Sequence, residues 1–165
     1  MTPDATAVAL QLFVREGRCL DHRQWDDWLA LYREDAVFWV PAWRDEDEPT
    51  ADPLREVSLI YHAGREGLAE RVLRLRSGQS LTTMPLPRTT HFVSNVLARW
   101  SDADRIEAEA SFLVHYTDPR THVHLVHHGR YETDLVCEEG AWRYARKRAL
   151  LMNDSVSAVL DFYLV

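Results

Sequence analysis

Residues 84–96 read MPLPRTTHFVSNV, in which two prolines two positions apart lead directly into a β-type run. Each proline ring fixes its own φ and disfavours the α region for the residue before it, so the entry to this run is extended. The stretch therefore predicts a proline-led strand. Alternate side chains share a predicted face: Phe92, Ser94 and Val96 on one side, and His91, Val93 and Asn95 on the other.

Period-two patterns dominate the chain after this strand. Residues 106–116 alternate apolar and polar side chains, and turn-forming residues flank them at 101–104 and 117–120. Two further strands are predicted at 122–137 and 142–151, joined by a turn at 138–140. This half of the sequence therefore predicts a long antiparallel meander.

The residues before this meander favour helices. Asp4 can cap a first helix, and Asp21 is predicted to open a second helix whose apolar positions repeat at helical spacing. Helices followed by a meander predict a single α+β domain over residues 1–165. The apolar stripe of the second helix is formed by Trp25, Trp28, Leu29 and Tyr32. Five further segments are predicted from the same patterns. They are a strand at 37–40 ended by Pro41, an acidic loop at 44–53, a strand at 56–61, a helix at 64–76 and an apolar tail at 156–165.

Composition narrows the functional class. The chain has 26 acidic and 19 basic residues, for a formal net charge of -7, which argues against a nucleic-acid partner. No apolar run approaches the roughly 20 residues that span a bilayer. The first residues lack the basic-then-apolar order of a signal peptide, so we expect a cytoplasmic protein with no membrane partner.

The two cysteines, Cys19 and Cys137, are far apart in the sequence and form no CxxC pair. This spacing does not support a disulfide scaffold, a four-cysteine zinc site or a thiolate-held iron–sulfur cluster. A Rieske centre needs two Cys and two His in paired motifs, and the sequence has no Cys-x-His pair. We therefore expect two reduced, buried thiols and no cofactor in this chain.

The amino-acid sequences of three segments are specific enough to indicate a family. Residues 84–96, together with SLIY at 58–61 and GLAERVLRL at 67–75, resemble the small (β) subunit of Rieske-type aromatic-ring-hydroxylating dioxygenases. Within this family, the benzoate, toluate and anthranilate branch is the most similar in sequence. The resemblance implies an NTF2-like fold, in which a curved antiparallel sheet wraps over about three N-terminal and central helices.

The same resemblance implies a non-catalytic structural role. The β subunit would assemble with a large (α) subunit, typically three of each, with the β subunits forming a trimer. The Rieske [2Fe-2S] cluster and the mononuclear Fe(II) would lie in the large subunit, and NAD(P)H would supply electrons through a reductase. The family has no catalytic motif to carry over, so we assign no catalytic, cofactor-binding or metal-binding residue to this chain.

Interface residues are predicted from the tryptophans and from the proline-led strand. Trp, Tyr and Arg are enriched where subunits meet. The candidates are Trp43, Arg88, His91 and Asn95, whereas Trp39, before the proline, is predicted to lie in the core. The basic run at 143–148 is interpreted as a solvated or interface face, with an anion site as the alternative.

A free-standing NTF2-like enzyme, such as a dehydratase, isomerase or cyclase, is the alternative function. Such a fold can use the mouth of its cone for acid–base chemistry. The residues available for it are Tyr32, Asp35, His91 and His115. A metal site is a further alternative, because paired histidines on strands can ligate a metal when a carboxylate converges with them. Its candidates are His115, His122, His124, His127, His128 and Glu132.

Overall fold

The computed structural model describes residues 3–78, 84–156 and 159–165, and these form three α-helices and one six-stranded sheet. No helix in these ranges is long and apolar enough to cross a membrane. The predicted α+β class is confirmed. The elements in chain order are α1 (Ala5–Asp21), α2 (Trp25–Leu29), β1 (Tyr32–Pro41), β2 (Ser58–Ala63), α3 (Arg65–Arg76), β3 (Arg88–Asp102), β4 (Arg105–Thr117), β5 (His124–Glu138), β6 (Ala141–Leu151) and a final 3₁₀ turn (Phe162–Leu164).

The sheet has the strand order β2-β1-β6-β5-β4-β3. The predicted meander is present, because β3, β4, β5 and β6 pair in succession as antiparallel neighbours. However, the sheet is mixed rather than wholly antiparallel, because β1 pairs in parallel with β6. Alternation along a strand reports its faces but not the direction of its neighbour, so the sequence pattern could not show this pairing.

The helices cover one face of the sheet, here called the inner face, and the opposite face is the outer face. The inner face of β4 is apolar and buried, as the alternation at 106–116 predicts. α1 packs mainly against β3, at one end of the sheet, while α3 contacts β1 toward the other end. The buried side of α1 carries Ala9, Leu12, Phe13, Glu16 and Leu20.

The second helix is shorter than predicted and begins later. Asp21 ends α1 instead of opening α2, whose N-cap is Gln24. Tyr32 is the first residue of β1 and is fully buried, so the predicted helical stripe runs across a boundary between a helix and a strand. The helical spacing of Trp25, Trp28, Leu29 and Tyr32 did not reveal this boundary, because Tyr32, the first residue of the strand, packs into the same core as the helix.

Two other boundaries differ for reasons visible in the structure. β2 covers Ser58–Ala63, not 56–61, because the Glu56 carboxylate binds the backbone amides of Ala51 and Asp52 and belongs to the loop. The predicted tail at 156–165 includes residues 157 and 158, which lie outside the described residues.

A β-bulge in β3 changes the predicted faces of that strand. Asn95 has φ 53°, and the register with β4 shifts between Ser94 and Leu97. Asn tolerates this left-handed conformation better than most residues, and one extra residue reverses the alternation beyond it. As a result, Val96 packs toward the core with Val93, and not beside Ser94 as the uninterrupted pattern predicted.

Candidate functional site

Glu16 is a buried carboxylate at the centre of the inner face. Its Oε1 accepts hydrogen bonds from the Tyr32 hydroxyl and from the Trp28 indole N–H, the latter at 3.3 Å. Its Oε2 accepts from the Tyr144 hydroxyl and from the Lys147 ammonium, both at 2.9 Å. A carboxylate offers about four acceptor positions, so these four donors satisfy it. We call these five residues the Glu16 network.

The charges of this network compensate each other within the core. Burial lowers the pKa of Lys147, and the neighbouring Glu16 acts in the opposite direction. The Lys147 ammonium also lies 4.0 Å from the centroid of the Tyr131 ring. Burial, and then Glu16, raise the pKa of Tyr32 and of Tyr144 well above the usual value, so both phenols are protonated donors at neutral pH. The polar groups of this centre therefore bind one another.

Asp21 and His91 form a second polar pair beneath α1. The Asp21 carboxylate accepts from the Thr89 hydroxyl at 2.9 Å, from the His91 backbone N–H at 3.0 Å and from the His91 ring, whose Nδ1 lies 2.6 Å from Oδ1. These hydrogen bonds lower the pKa of Asp21 despite its partial burial, which acts to raise it. The pair therefore joins the end of α1 to β3.

The outer nitrogen of the His91 ring accepts no hydrogen bond from the part of the chain that the structure describes. The His91 side chain is 3% exposed, and its Nε2 is buried without a hydrogen bond to any described residue. With the Nδ1 proton donated to Asp21, neutral His91 presents a bare acceptor at Nε2. Gly17 allows α1 to pass this close, because a Cβ there would meet the His91 Cβ at 3.0 Å. Among the residues that the structure describes, Asp21 and His91 are the carboxylate and the histidine that form a hydrogen-bonded pair of the acid–base kind.

Segment 159–165 lies against the helices and covers the inner face beside them. The Phe162 ring stacks on Trp28, with a centroid distance of 4.2 Å. Asp161 pairs with Arg71, and the His127 Nδ1–H donates to the Leu164 carbonyl at 2.9 Å. The last four residues are between 0% and 4% exposed. Segment 159–165 is therefore packed into the core as part of the fold.

The four residues predicted for a free-standing enzyme are not brought together. Tyr32 is held in the Glu16 network, and His91 is paired with Asp21. The Asp35 side chain is 72% exposed on β1, where it pairs with Arg33. His115 is half-buried on β4 and lies 2.8 Å from the His124 ring, nitrogen to nitrogen.

The histidines predicted for a metal site point to different surroundings. His127 is buried between the Tyr116 hydroxyl and the Leu164 carbonyl, whereas His128 is exposed. Glu132 pairs with Arg148 at 2.7 Å. Within residues 3–78, 84–156 and 159–165, no group of three or more His, Cys, Asp or Glu side chains is arranged to hold a metal ion.

Sequence reasoning missed the residues that dominate the interior. Glu16 occupies the apolar side of α1, four residues after Leu12 and four before Leu20. Lys147 is an inward position on β6, inside a run interpreted as a solvated face. The sequence did carry a signal for this buried pair: one charged residue stands at an otherwise apolar position of α1, and another at an inward position of β6. Two such residues of opposite charge predict a buried pair only once their elements are known to pack together.

The predicted interface residues differ in what they offer a partner. Arg88 and Asn95 are exposed on β3, and the Asn95 amide donates to the Ser111 hydroxyl at 3.1 Å. Trp43 is half-buried, and its indole N–H donates to the Leu151 carbonyl at 2.8 Å. His91 keeps its side chain inside its own chain, so that ring has no free surface. The assignment of these residues to an interface stays a prediction.

Trp39 is buried as predicted, but not in the main core. It is 9% exposed and lies on the outer face, where the Arg148 guanidinium sits 5.1 Å from its ring centroid. Its indole N–H donates to the Ser58 hydroxyl at 2.9 Å. Trp39 therefore stabilises the β1–β2 end of the sheet from the side opposite the helices.

A helix-covered mixed sheet with this strand order defines an NTF2-like α+β protein, and structural comparison confirms that class. The structure matches the β subunit of the benzoate 1,2-dioxygenase from Burkholderia mallei with a TM-score of 0.82 and 30% identity, covering 100% of both chains. It also shares its fold with a putative scytalone dehydratase from Novosphingobium aromaticivorans, with a TM-score of 0.67, 14% identity and coverage of 94% and 91%.

The sequence comparisons narrow this class to one family. The model of the ring hydroxylating beta subunit family matches residues 15–158. The chain is 39% identical over 149 residues to the 2-halobenzoate 1,2-dioxygenase small subunit of Burkholderia cepacia, covering 90% of this chain and 89% of that protein. It is 36% identical over 153 residues to the benzoate 1,2-dioxygenase subunit beta of Acinetobacter baylyi, covering 93% and 89%. The chain belongs to the β-subunit family of ring-hydroxylating dioxygenases.

Proposed function

We propose that this chain is the non-catalytic, structural β subunit of a cytoplasmic dioxygenase that dihydroxylates an aromatic acid in aromatic catabolism. Relatives that it matches over about nine tenths of their length are named for benzoate and 2-halobenzoate. The partner is a large (α) subunit, in an assembly of three large and three small subunits. The aromatic-acid substrate follows from these relatives alone.

The filled interior is the observation that carries the non-catalytic role. In the Glu16 network every carboxylate position has a donor, and segment 159–165 packs its aromatic side chains against the same helices. A catalytic carboxylate or lysine needs a free position toward a substrate. The groups of this network are used to hold α1, β1 and β6 together.

The ligands that this chain offers do not fit the redox centres of a dioxygenase. Its two cysteines lie on α1 and β5, and Cys19 is buried. His115 of β4 and His124 of β5 lie against each other, whereas His127 is engaged apart from them by the Tyr116 hydroxyl. We therefore assign the Rieske [2Fe-2S] cluster and the mononuclear Fe(II) to the large subunit, with electrons from NAD(P)H delivered by a reductase.

One observation favours a second candidate function, in which the chain is an acid–base enzyme in its own right. Asp21 fixes the tautomer of His91 and leaves its Nε2 as a buried, unpaired acceptor. A general base needs such a position within reach of a substrate proton. This second candidate and the structural role make different predictions for His91 variants, which are given in the Discussion.

The proposed function is tested by expressing the large subunit with this chain, the large subunit alone and this chain alone. Turnover of benzoate to a cis-dihydrodiol is followed with the reductase and NADH. We expect the large subunit to copurify with this chain in equal amounts, and we expect dioxygenation only when the large subunit is present. Failure to copurify, or one tightly bound iron per purified small chain, would contradict the proposal.

A further inference from the structure

The predicted acidic loop at 44–53 and the four residues after it, together here called the acidic loop, display apolar side chains within a strongly acidic segment. Leu54 is 81% exposed and Val57 is 71% exposed. The loop contains six acidic and two basic residues. Exposed apolar groups enclosed by charge are typical of a surface that another protein covers.

The acidic loop holds these side chains in a fixed conformation. The Glu56 carboxylate accepts from the backbone N–H groups of Ala51 and Asp52 and from the Arg44 guanidinium. These three interactions lower the pKa of Glu56 to about 2. The Thr50 hydroxyl lies 2.9 Å from the Val57 carbonyl. A loop that is already ordered loses little conformational entropy when it binds.

The exposed side of α1 has the complementary character. Leu10 and Val14, one helical turn apart, are 41% and 49% exposed, and Arg15 and Arg18 are exposed beside them. With α2 they form a groove of about 540 Å³, here called the α1 groove. Its other lining residues are Gln11, Cys19, Gln24 and Asp27. The groove therefore combines an apolar floor with two cationic side chains.

The two surfaces lie at opposite ends of the sheet. The acidic loop leads from β1 into β2, which is one edge strand, whereas α1 packs mainly on β3, which is the other. Surfaces placed in this way cannot satisfy each other within one chain. They suit a head-to-tail contact between copies, which forms a ring when the rotation closes.

We propose that the acidic loop of one copy docks in the α1 groove of the next copy. Leu54 and Val57 would contact Leu10 and Val14, and the loop carboxylates would face Arg15 and Arg18. A second copy is the occupant that the structure favours, because both halves of the contact, with opposite charge, are present on one chain. The inference deepens the proposed function and rests on it for a ring of three small subunits.

Sedimentation of the full-length chain tests the contact with one variant on each surface. Leu54→Asp disables the loop, and Leu10→Asp disables the groove. Val123→Asp is the matched control, because Val123 is a similarly exposed apolar residue in the β4–β5 turn. We expect a trimer for the wild type and for the control, and a monomer with an unchanged circular dichroism spectrum for each of the two variants. Their melting temperatures should fall to a value that no longer depends on protein concentration, because a trimer stabilises its folded subunits by mass action.

Mixing the two monomeric variants is the more specific test. Each variant keeps one intact surface, so a head-to-tail contact predicts that the mixture forms heterodimers and stops there. Arg18→Glu should weaken the wild-type trimer, with a loss that grows at low ionic strength, because it places like charges together. A trimer that survives both single variants, or a mixture that stays monomeric, would overturn the proposal.

Coexpression with the large subunit separates this inference from the proposed function. If Leu54→Asp abolishes copurification of the large subunit but leaves the small-chain trimer intact, the loop binds the large subunit and the inference is wrong. If the wild-type chain is monomeric alone at every concentration, the inference is also wrong. In both cases, copurification of the wild-type chain with the large subunit would still support the proposed function.

Discussion

The ammonium of Lys147 lies 2.9 Å from a carboxylate oxygen of Glu16, and the two side chains are 1% and 3% exposed. This pair joins α1 to β6 through the middle of the core. Removing two charges from water is costly, so such a pair is tolerated only when its remaining hydrogen-bonding positions are filled. The tyrosine hydroxyls and the indole of the Glu16 network fill them here.

Breaking that pair on one side should destabilise the fold strongly. Glu16→Gln leaves Lys147 buried without a counter-charge, for which we expect a loss of about 3–5 kcal/mol in the free energy of unfolding. Lys147→Met should also lower the free energy of unfolding. The double variant should lose less than the sum of the losses of the two single variants. Urea unfolding measures all three. Strictly additive losses would show that the two residues are not coupled.

The Asp21–His91 pair should make stability sensitive to acid. Hydrogen bonding lowers the pKa of Asp21 in the folded chain, so its contribution is present above the unfolded value near 3.8 and is lost as the pH falls through the folded pKa. The Asp21→Asn variant should therefore be less stable than the wild type at pH 7. This difference in stability, here called the gap, should disappear below pH ~3.8. Thermal melts over this range measure the gap. A gap that is independent of pH would contradict the assignment.

His127 should weaken the fold at mildly acidic pH. Burial lowers its pKa below the usual 6.5, so the unfolded chain takes up the proton first and stability falls as the pH drops through this window. His127→Gln should show a smaller fall in melting temperature between pH 7.5 and 5.5 than the wild type. His128→Gln, at the exposed neighbouring position, is the matched control and should behave like the wild type.

The proposed structural role predicts that the dispersed acid–base candidates are dispensable for turnover. Asp35→Ala and His115→Ala should leave ring oxidation within a few-fold of the wild type in an assembled enzyme. A general acid or base contributes about 10²–10⁴-fold. His91→Gln is the decisive variant for the second candidate function. A loss of that size with normal assembly and melting would assign catalysis to the Asp21–His91 pair.

The two tryptophans near Pro41 should separate folding from assembly. Truncating buried Trp39 to alanine should cost about 3–5 kcal/mol of folding stability with or without a partner. Trp43→Ala should cost binding, at about 2 kcal/mol or more, while the fold survives. Trp43→Phe removes the hydrogen bond to the Leu151 carbonyl but keeps most of the contact area, so it controls for that bond. An unfolded Trp43→Ala chain, or an unchanged oligomer, would contradict the interface assignment.

Periodicity was sufficient for the elements that pack by one face alone. The burial pattern of β4 alternates along the whole strand, because the bulged residue lies on β3 and β4 itself stays regular. α3 covers Arg65–Arg76, one residue shorter than the predicted helix at 64–76. The predicted faces and boundaries were wrong where a single residue interrupts the repeat of apolar positions. The left-handed φ of Asn95 reverses β3, and the early end of α2 places Tyr32 in a strand.

The interior could not be predicted because its chemistry depends on pairs that are distant in sequence. Glu16 and Lys147 lie 131 residues apart, and Asp21 and His91 lie 70 apart. A charged residue on an apolar face signals a missing partner, but its identity follows only from the packing of α1 on the sheet. His91 was among the candidate residues, whereas its carboxylate partner Asp21 was interpreted as the start of a helix.

The parallel pairing of β1 with β6 has a consequence for how the chain acquires its structure. The first strand to be synthesised has its long-range neighbour in the last one, with Phe38 opposite Lys147. Contacts between such distant segments close large loops and slow the search for the native state. β1 and β2 can form a hairpin early, but the sheet becomes continuous only when β6 inserts between β1 and β5. A nascent chain lacking β6 would leave two unpaired strand edges exposed, which makes this interval the one most vulnerable to aggregation.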